Sequence, residues 1–587
     1  MGRPEEAGET SGSEGESPRR SRFALQLAAA VAASHACAIN CYAIGWGVTA
    51  TWQLRQTDDA PPGELRLSDA ERAWLNSVLY LGTAFGCLLG GRAAARFGPR
   101  LAMLYSLLPL GLSQAAVALA NSSAVLLAAR LLVGLTCGVP YGVYVLYISG
   151  TSSPQYRGAL TIMADIACIL AIIFGVALGE VLNWRWLAAV CGIVSVVPTG
   201  GLLLLLPDDP VWLLGCGRLA DAKRSAAAFG VDLELADTTT LDETPGGWRA
   251  TLGLLTQRKN LMPLGIVMML ILFSSFSGYM AILSYSLEFF RMAGFQLDAA
   301  VCSILFCAIR VLAVLLTSTL VDRLGRRVLL VFSCGGVSVC YMGLVAYYQL
   351  PVLHHLTALP IVLLLAAGFV YSSALACLPF CLAGEIFPLR MRQLGGSLVT
   401  FSYCTFSMLA TLAFPHTLAA LGASGVFFTH GVLMAGACLF TLLAVPETKG
   451  LSLAAIETLF DRDASKEGDD AADLARTTAK EEFRRGRAVI LLCLAALALA
   501  DDPVPTPVVN SVGYGVPYPV PYPVPYPRPY YRRYYPRGQA YYNYNVHYPY
   551  YGAQQGKEEL IDYYGTRGSY YVNEPFSNSY VSYNYRS

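Results

Sequence analysis

Charged residues are scarce in this sequence of 587 residues. Asp, Glu, Lys and Arg make up 14% of it, whereas a soluble globular chain carries about 25%. Apolar residues make up 55%, and the net charge is only +1. So small a net charge gives no sign of a nucleic-acid partner, and the shortage of charge predicts that much of the chain lies in lipid.

Several signatures of catalysis are missing as well. The 16 cysteines include no CxxC pair and no Cys/His spacing typical of a metal site. The sequence contains no glycine-rich phosphate loop and no nucleophile constellation. We therefore expect no enzyme, no metal and no cofactor. Residues 1–22 are rich in Gly, Ser and Glu, lack a signal peptide, and are expected to be disordered and cytosolic.

Long apolar runs dominate the rest of the chain. A helix needs about 20 apolar residues to cross a bilayer, and a spanning segment of this length must be helical to satisfy its own backbone. We predict twelve such helices, at about 24–48, 73–95, 101–120, 124–148, 160–182, 186–206, 261–286, 299–320, 328–348, 356–382, 395–418 and 424–445.

Short charged motifs recur in the same order in two halves of the chain. The turn around Gly98 has a counterpart 227 positions later around Gly325, and Pro207-Asp208 has one 239 positions later at Pro446-Glu447. Arg157 corresponds in the same way to the region of Arg390. Ordered motifs at a nearly constant offset indicate an internal duplication, which is how many secondary transporters are built.

Lys and Arg collect in alternate loops, which predicts that both ends of the membrane domain are cytosolic. The predicted organisation follows from the runs and loops: an N-terminal half at 23–206, a cytosolic linker with helical pieces at 207–259, a C-terminal half at 260–446 and a charged cytosolic segment at 447–487.

The motifs resemble those of the sugar-porter branch of the major facilitator superfamily, and more faintly the arthropod facilitated trehalose and glucose transporters. The resemblance covers residues 25–460 and is carried by Asp322-Arg323-Leu324-Gly325-Arg326-Arg327, Gly384-Glu385-Ile386-Phe387-Pro388 and Pro446-Glu447-Thr448-Lys449-Gly450. It implies an all-α membrane protein with twelve transmembrane helices in two pseudo-symmetric six-helix halves. It also implies facilitative sugar transport, of a hexose or trehalose-like solute, by alternating access. The location that the resemblance implies is the plasma membrane.

The resemblance also implies a gate of charged residues at the cytosolic helix ends, which would pair when the halves close there. The alternative is plain anchoring by positive charge. In the first half the family has charged residues where this chain has Ala95, Pro99, Gly150 and Val211, so we expect the N-half network to be eroded. The predicted gate residues are Arg92, Arg157, Asp322, Arg326, Arg327, Glu385, Arg392 and Glu447.

The central cavity departs from the family pattern. Side-chain amides suit sugar hydroxyls because they both donate and accept hydrogen bonds. The family's helix-seven amides are missing from Ser274–Met280, and its aromatic and amide positions in helices ten and eleven are Phe380 and Tyr403-Cys404. The predicted cavity residues are Asp165, Ser274, Ser275, Tyr285, Arg310, Phe380 and Tyr403.

Two charges stand where the family has amides. Asp165 and Arg310 lie eight and twelve residues from charged turns, or about 12 and 18 Å along their helices, and so near the bilayer midplane. A charge there costs about 2.5–3.5 kcal/mol even on a mild scale. We expect one in each half to line the cavity, facing the other or clamping a solute between them. The alternative is local pairing or snorkelling.

Three functions remain open on the sequence: a sugar or polyol facilitator, a carrier of a charged or zwitterionic organic solute, and a non-transporting sensor or receptor of the same fold. The expected partners are a small-molecule solute and the lipid bilayer.

The tail has a different composition. The run at 488–500 is too short to span and resembles a signal peptide, and residues 501–587 hold 21 of the 35 tyrosines with many prolines. We expect this low-complexity tail to be extended or polyproline-like. It resembles a secreted structural protein, which suggests two genes joined in one sequence. The alternative is a genuine cytosolic tail that recruits partners.

Overall fold

A computed structural model describes residues 16–55, 65–231, 258–287, 290, 298–353, 355–356, 358–387 and 389–449, together with five strands between Tyr531 and Arg586. Internal contacts divide the chain into two units, Met1–Leu497 and Ala498–Ser587. The apolar run predicted at 488–500 lies outside the described residues.

Six long helices form the first half of unit one, and two short helices follow them in the predicted linker. Ser68 begins the second helix with a capping box, in which its hydroxyl accepts from the Glu71 amide and the Glu71 carboxylate accepts from the Ser68 amide. The helices are α1 (Glu16–Gln53), α2 (Asp69–Phe97), α3 (Pro99–Ala118), α4 (Ser123–Thr151), α5 (Pro154–Gly179), α6 (Trp184–Leu205), α7 (Pro210–Gly215) and α8 (Leu219–Phe229).

The second half repeats this plan with two interrupted spans. The helices are α9 (Arg258–Ser275), α10 (Tyr279–Ser284), α11 (Ala299–Leu324), α12 (Arg326–Gln349), α13 (Leu359–Ser373), α14 (Leu378–Ile386) and α15 (Leu389–Ala444), with a 3₁₀ turn at Pro351–Leu353. α9 and α10 lie along one span that breaks at Phe276–Gly278, and α13 and α14 lie along another that breaks at Ala374–Cys377. Gly278 adopts φ +82° at the first break, a backbone conformation that favours glycine.

Eleven helices within the described residues are long and apolar enough to cross a membrane. The last of them, Gly395–Ala444, has 50 residues and would extend about 75 Å, more than twice the hydrocarbon thickness of about 30 Å. Gly422 breaks it with φ 67° and ψ 175°. Counted as two, it completes the predicted set, although the number of twelve crossings stays a prediction.

The helices expose leucine and valine on their outer surface, as a lipid-facing protein requires. Leu205 is 84% exposed and Leu119 is 74% exposed. Inside, α2 and α4 approach so closely that a Cβ atom on Gly86 would lie 2.2 Å from the Leu135 carbonyl oxygen. Small residues at such crossings let membrane helices pack backbone to backbone.

Unit two contains an antiparallel meander in the strand order β1-β2-β3-β4-β5. These strands are extended chain, which is one of the two predicted forms, and they pair in a ladder, whereas a polyproline helix has no internal hydrogen bonds. The physical reason is that proline becomes sparse after residue 530 and occurs in the sequence only between strands. The strands are β1 (Tyr531–Tyr535), β2 (Gln539–Tyr548), β3 (Ala553–Asp562), β4 (Gly565–Glu574) and β5 (Ser577–Arg586).

Candidate functional site

Asp165 lies in the middle of α5 and is half-buried. Within the described residues its carboxylate has no hydrogen bond and no ion pair, although it lies in electrostatic range of Cys377 on the far half. A carboxylate in this position is a strong acceptor with its capacity unused. That Asp165 lines the cavity stays a prediction, and its electrostatic interaction with Cys377 of the C-half is in keeping with it.

Arg310 lies in α11, on the opposite half. Its guanidinium carbon stands 5.1 Å from the centre of the Tyr279 ring, and its Nε atom is buried without a hydrogen-bond partner. Tyr279 is itself stacked on Tyr371 at 4.5 Å and on Phe306 at 5.0 Å. A cation over an aromatic face is stabilised without using its N–H groups, so the stack holds Arg310 in place and leaves donors for a ligand.

The two charges do not touch. Asp165 and Arg310 form no ion pair within 4.0 Å, but Arg310 is close enough to act electrostatically on the Asp165 carboxylate. Their helices, α5 and α11, pack against each other across the two halves. The two charges are therefore not in direct contact, and the expectation that they face each other across the cavity or clamp a solute stays a prediction.

The two predicted serines lie in the packing between helices. Ser274 and Ser275 are fully buried. The Ser274 hydroxyl donates to the Leu375 carbonyl at 3.0 Å, and the Ser275 hydroxyl donates to the Tyr403 carbonyl at 3.4 Å. Their contact with a solute stays a prediction, and in this structure both hydroxyls donate to backbone oxygens.

The three predicted aromatic residues lie in the C-half. Phe380 and Tyr403 contact edge to face at 5.3 Å, and Phe380 is half-buried. Tyr285 is buried and stacks on Phe414 at 5.6 Å. Tyr403 is close enough to Arg310 to interact with it electrostatically. Tyr285 instead belongs to the packing at the end of α10.

Four of the predicted gate residues assemble at one end of the C-half. Arg326 pairs with Glu385 at 3.0 Å, with side chains 19% and 26% exposed, and the Thr448 hydroxyl donates to the same carboxylate at 2.6 Å. The Glu447 carboxylate accepts the backbone N–H groups of Arg326 and Arg327, each at 3.1 Å, at the start of α12. The Arg327 guanidinium donates to the Leu442 carbonyl.

The N-half keeps part of its charged network. Arg100 pairs with Asp208 at 2.7 Å and donates to the Leu203 carbonyl at 3.2 Å. Residues 100, 203 and 208 are the counterparts of 327, 442 and 447, so this half keeps one charged cluster of the duplicated pair. It lacks the counterpart of Arg326–Glu385, where it has Pro99 and Gly150.

The remaining gate predictions have less support. Arg92 and Arg157 are exposed, and Arg157 donates a hydrogen bond to the Ser152 carbonyl at 3.5 Å. The side chains of Asp322 and Arg392 lie outside the described residues. The observed pairs therefore join helices within a half rather than across the two halves.

Sequence reasoning missed Arg130. It lies in α4, is 1% exposed, donates to the Ala43 carbonyl at 2.7 Å, and sits 4.5 Å from the centre of the Trp46 ring. The signal was present: a single arginine in the apolar run 124–148. Within the described residues no group of His, Cys, Asp and Glu could hold a metal.

Solved structures share this fold. The xylose symporter XylE bound to 6-bromo-6-deoxy-D-glucose superimposes with a TM-score of 0.60 at 21% identity, covering 75% of this chain and all of that one. The inward-open xylose transporter XylE from E. coli gives 0.59 at 18% identity over the same share of this chain. At these identities the likeness establishes the fold alone.

Curated relatives align over most of their length. The mouse solute carrier family 2, facilitated glucose transporter member 8, is 31% identical over 72% of this chain and 91% of its own. A facilitated trehalose transporter Tret1-2 homolog of Drosophila simulans is 28% identical over 66% of this chain and 81% of its own.

A family model described as "Sugar (and other) transporter" matches residues 28–460. This match covers both helical halves and each charged turn, and it leaves the tail outside. The chain therefore belongs to the sugar transporter family, as an integral membrane protein of the major facilitator fold that transports small-molecule solutes and is not an enzyme.

Proposed function

We propose that this chain is a facilitative carrier of a sugar-class, polyhydroxylated solute that alternates access between the two faces of the membrane. The observation that supports it is the arrangement of Asp165 and Arg310 on packed helices of opposite halves, with unused hydrogen-bonding capacity in the interior. The relatives are named for glucose and trehalose, and these are the first solutes to test.

The duplicated turns suggest how the halves move. Successive spans reverse direction, so alternate connections lie at the same end of the helical bundle. The connections at this end are α2–α3, α4–α5, α11–α12 and α14–α15, together with the segment after Ala444. The Arg326–Glu385 and Arg100–Asp208 pairs join helix ends within each half. We infer that they keep each half rigid while it rocks. Arg92 and Arg157, which are exposed, are the N-half cations available to meet the C-half cluster on closure.

The excess of Lys and Arg at this end supports a cytosolic location for it, and both ends of the membrane domain then lie in the cytosol. The family resemblance is the reason for proposing the plasma membrane as the location of the carrier. Protease protection of epitopes inserted after Ser122 and after Gly217 in intact cells tests the orientation. The first should be accessible from outside and the second only after permeabilisation.

Counterflow in proteoliposomes tests the function. Vesicles that hold purified full-length carrier are preloaded with glucose or trehalose, and labelled solute is added outside without a proton gradient. Transient accumulation above equilibrium supports facilitative exchange. Binding without flux would instead indicate a sensor, and accumulation only with an imposed proton gradient would indicate coupled transport.

A further inference from the structure

Arg130, Arg310 and Asp165 lie within spans of the described membrane domain, and their partners differ. Arg130 is buried against the Ala43 carbonyl and the Trp46 ring, within the N-half. Arg310 rests on Tyr279 with its Nε atom unpartnered, and Asp165 has no hydrogen bond or ion pair in the described part of the chain. Asp165 and Arg310 are therefore an anion and a cation on opposite halves, separated by more than the 4.0 Å of an ion pair.

We propose that Asp165 and Arg310 form a two-charge subsite that selects a zwitterionic polyhydroxylated solute, with its ammonium group on Asp165 and its carboxylate on Arg310. The proposal rests on the proposed function and names the solute class of the same site. It departs from neutral sugar binding because the two packed helices carry full charges of opposite sign.

Charge balance favours a zwitterion over the other three solute types. A cationic solute suits Asp165 but brings positive charge beside Arg310. An anionic solute suits Arg310 but brings negative charge beside Asp165. A neutral solute can hydrogen-bond to both groups but brings an opposite charge to neither. A zwitterion adds no net charge and forms charge-assisted bonds at both ends, which are about twice as strong as neutral ones.

The geometry also suits a bridging ligand. Arg310 is held by the aromatic stack of Phe306, Tyr279 and Tyr371, so its position is fixed before a ligand arrives. A carboxylate can accept from several donors and a guanidinium can donate to a carboxylate through two parallel N–H groups. Because Asp165 and Arg310 belong to opposite halves, a solute that bridges them also couples its binding to the approach of α5 and α11.

A matched set of four acyclic probes tests this proposal. D-glucitol is neutral, D-glucosaminitol is cationic, D-gluconate is anionic and D-glucosaminate is zwitterionic at neutral pH, and they differ only at the first two carbons. Binding to purified full-length carrier is measured by calorimetry, and counterflow is measured with the same probes. The expected result is that glucosaminate binds at least tenfold more tightly than each of the other three.

Variants assign each charge. Asp165→Asn should make glucosaminate and gluconate bind alike, because the ammonium group loses its partner. Arg310→Gln should make glucosaminate and glucosaminitol bind alike. Two control variants should keep the preference for glucosaminate. They are Glu180→Gln, at the end of the same helix as Asp165, and Arg224→Gln, an exposed residue of α8. If a variant fails to fold, the four-probe order in the native carrier still decides the question.

The outcomes separate this inference from the proposed function. Glucitol that binds the native carrier as tightly as glucosaminate overturns the inference, and neutral-sugar counterflow in the same vesicles then leaves the proposed function standing. A clear preference for glucosaminate with no counterflow of any probe supports the subsite and overturns the proposed transport. A preference that survives both Asp165→Asn and Arg310→Gln also overturns the assignment.

Discussion

Asp209 fills the space beside Gly150, such that a Cβ atom on Gly150 would lie 2.0 Å from Asp209 Oδ1. Asp209 is 5% exposed and begins α7, where its side chain accepts the Val211 amide at 2.9 Å. The family resemblance implies a charged residue at position 150, where this chain has glycine. Here a carboxylate reaches the same place from the linker instead of from α4.

Gly150→Ala should therefore destabilise the carrier. The added methyl group meets an anchored carboxylate, and overpacking of this kind costs about 1–3 kcal/mol. Thermal unfolding of the purified protein measures the effect, and Gly150→Ala combined with Asp209→Ala should recover much of the loss. Gly158→Ala is the control, because a Cβ atom there meets nothing within 4 Å. Equal melting temperatures of the native and Gly150→Ala proteins would contradict the close approach of Gly150 and the Asp209 carboxylate.

Stability should also depend on the protonation of Asp209. Burial raises its pKa to about 7, whereas an unfolded aspartate titrates near 3.9. Between these values the folded state binds more protons than the unfolded state, so the free energy of unfolding falls as pH rises from about 4 to about 7. Asp209→Asn keeps an oxygen for the Val211 amide and removes the titration.

The measurement is the melting temperature at pH 5 and pH 7.5. The native carrier should lose more stability over this interval than Asp209→Asn does. Asp221→Asn, which removes an exposed carboxylate on α8, should keep the native pH dependence. An equal change in melting temperature between pH 5 and pH 7.5 in the native and Asp209→Asn proteins would contradict this prediction.

Glu385 and Arg326 should be energetically coupled. Neutralising either strands a charge that is mostly shielded from water, so Glu385→Gln and Arg326→Gln should each lower initial uptake several-fold at equal surface expression. The double variant should take up solute at least as fast as the slower of the two single variants, because the effects of substituting contacting residues depart from additivity by about 0.5–3 kcal/mol.

The exposed Arg218–Asp221 pair at 2.8 Å is the matched control, because surface pairs contribute only about 0–1 kcal/mol. Neutralising it should leave uptake unchanged. Normal uptake in Glu385→Gln and in Arg327→Gln would remove the C-half cluster from any part in transport.

The tail is tested by its transcript. If two genes are joined, long reads of native mRNA should break between about Glu482 and Ala488, ahead of the signal-like run. A continuous transcript together with a tail epitope on the full-length membrane protein would establish a genuine tail.

Much of the fold could be predicted because membrane helices must be long, apolar and bounded by charge. Gly325 illustrates this: its turn was evident from Asp322-Arg323-Leu324-Gly325-Arg326, and it adopts φ +90° between α11 and α12. The Arg326–Glu385 contact could be foreseen from charge and position. Its confinement to one half could not, because sequence order does not say which helix ends meet.

Several contacts in the candidate site could not be predicted from the sequence. Pro99 and Gly150 implied an eroded N-half network, but they could not show that Arg100 and Asp208, the counterparts of Arg327 and Glu447, still pair in it. Ser274 and Ser275 were chosen by alignment with amides, but a short hydroxyl readily satisfies a nearby carbonyl instead. The Tyr279 stack that holds Arg310 joins three helices and leaves no local pattern.

The contact between Arg130 and the Trp46 ring has a spectroscopic consequence. All seven tryptophans precede residue 250, so indole emission comes from the N-half and linker alone. A guanidinium 4.5 Å from one of those rings makes that emission sensitive to its displacement. Solute-induced movement of the N-half can thus be followed optically in the unlabelled carrier, against a C-half that contributes only tyrosine fluorescence.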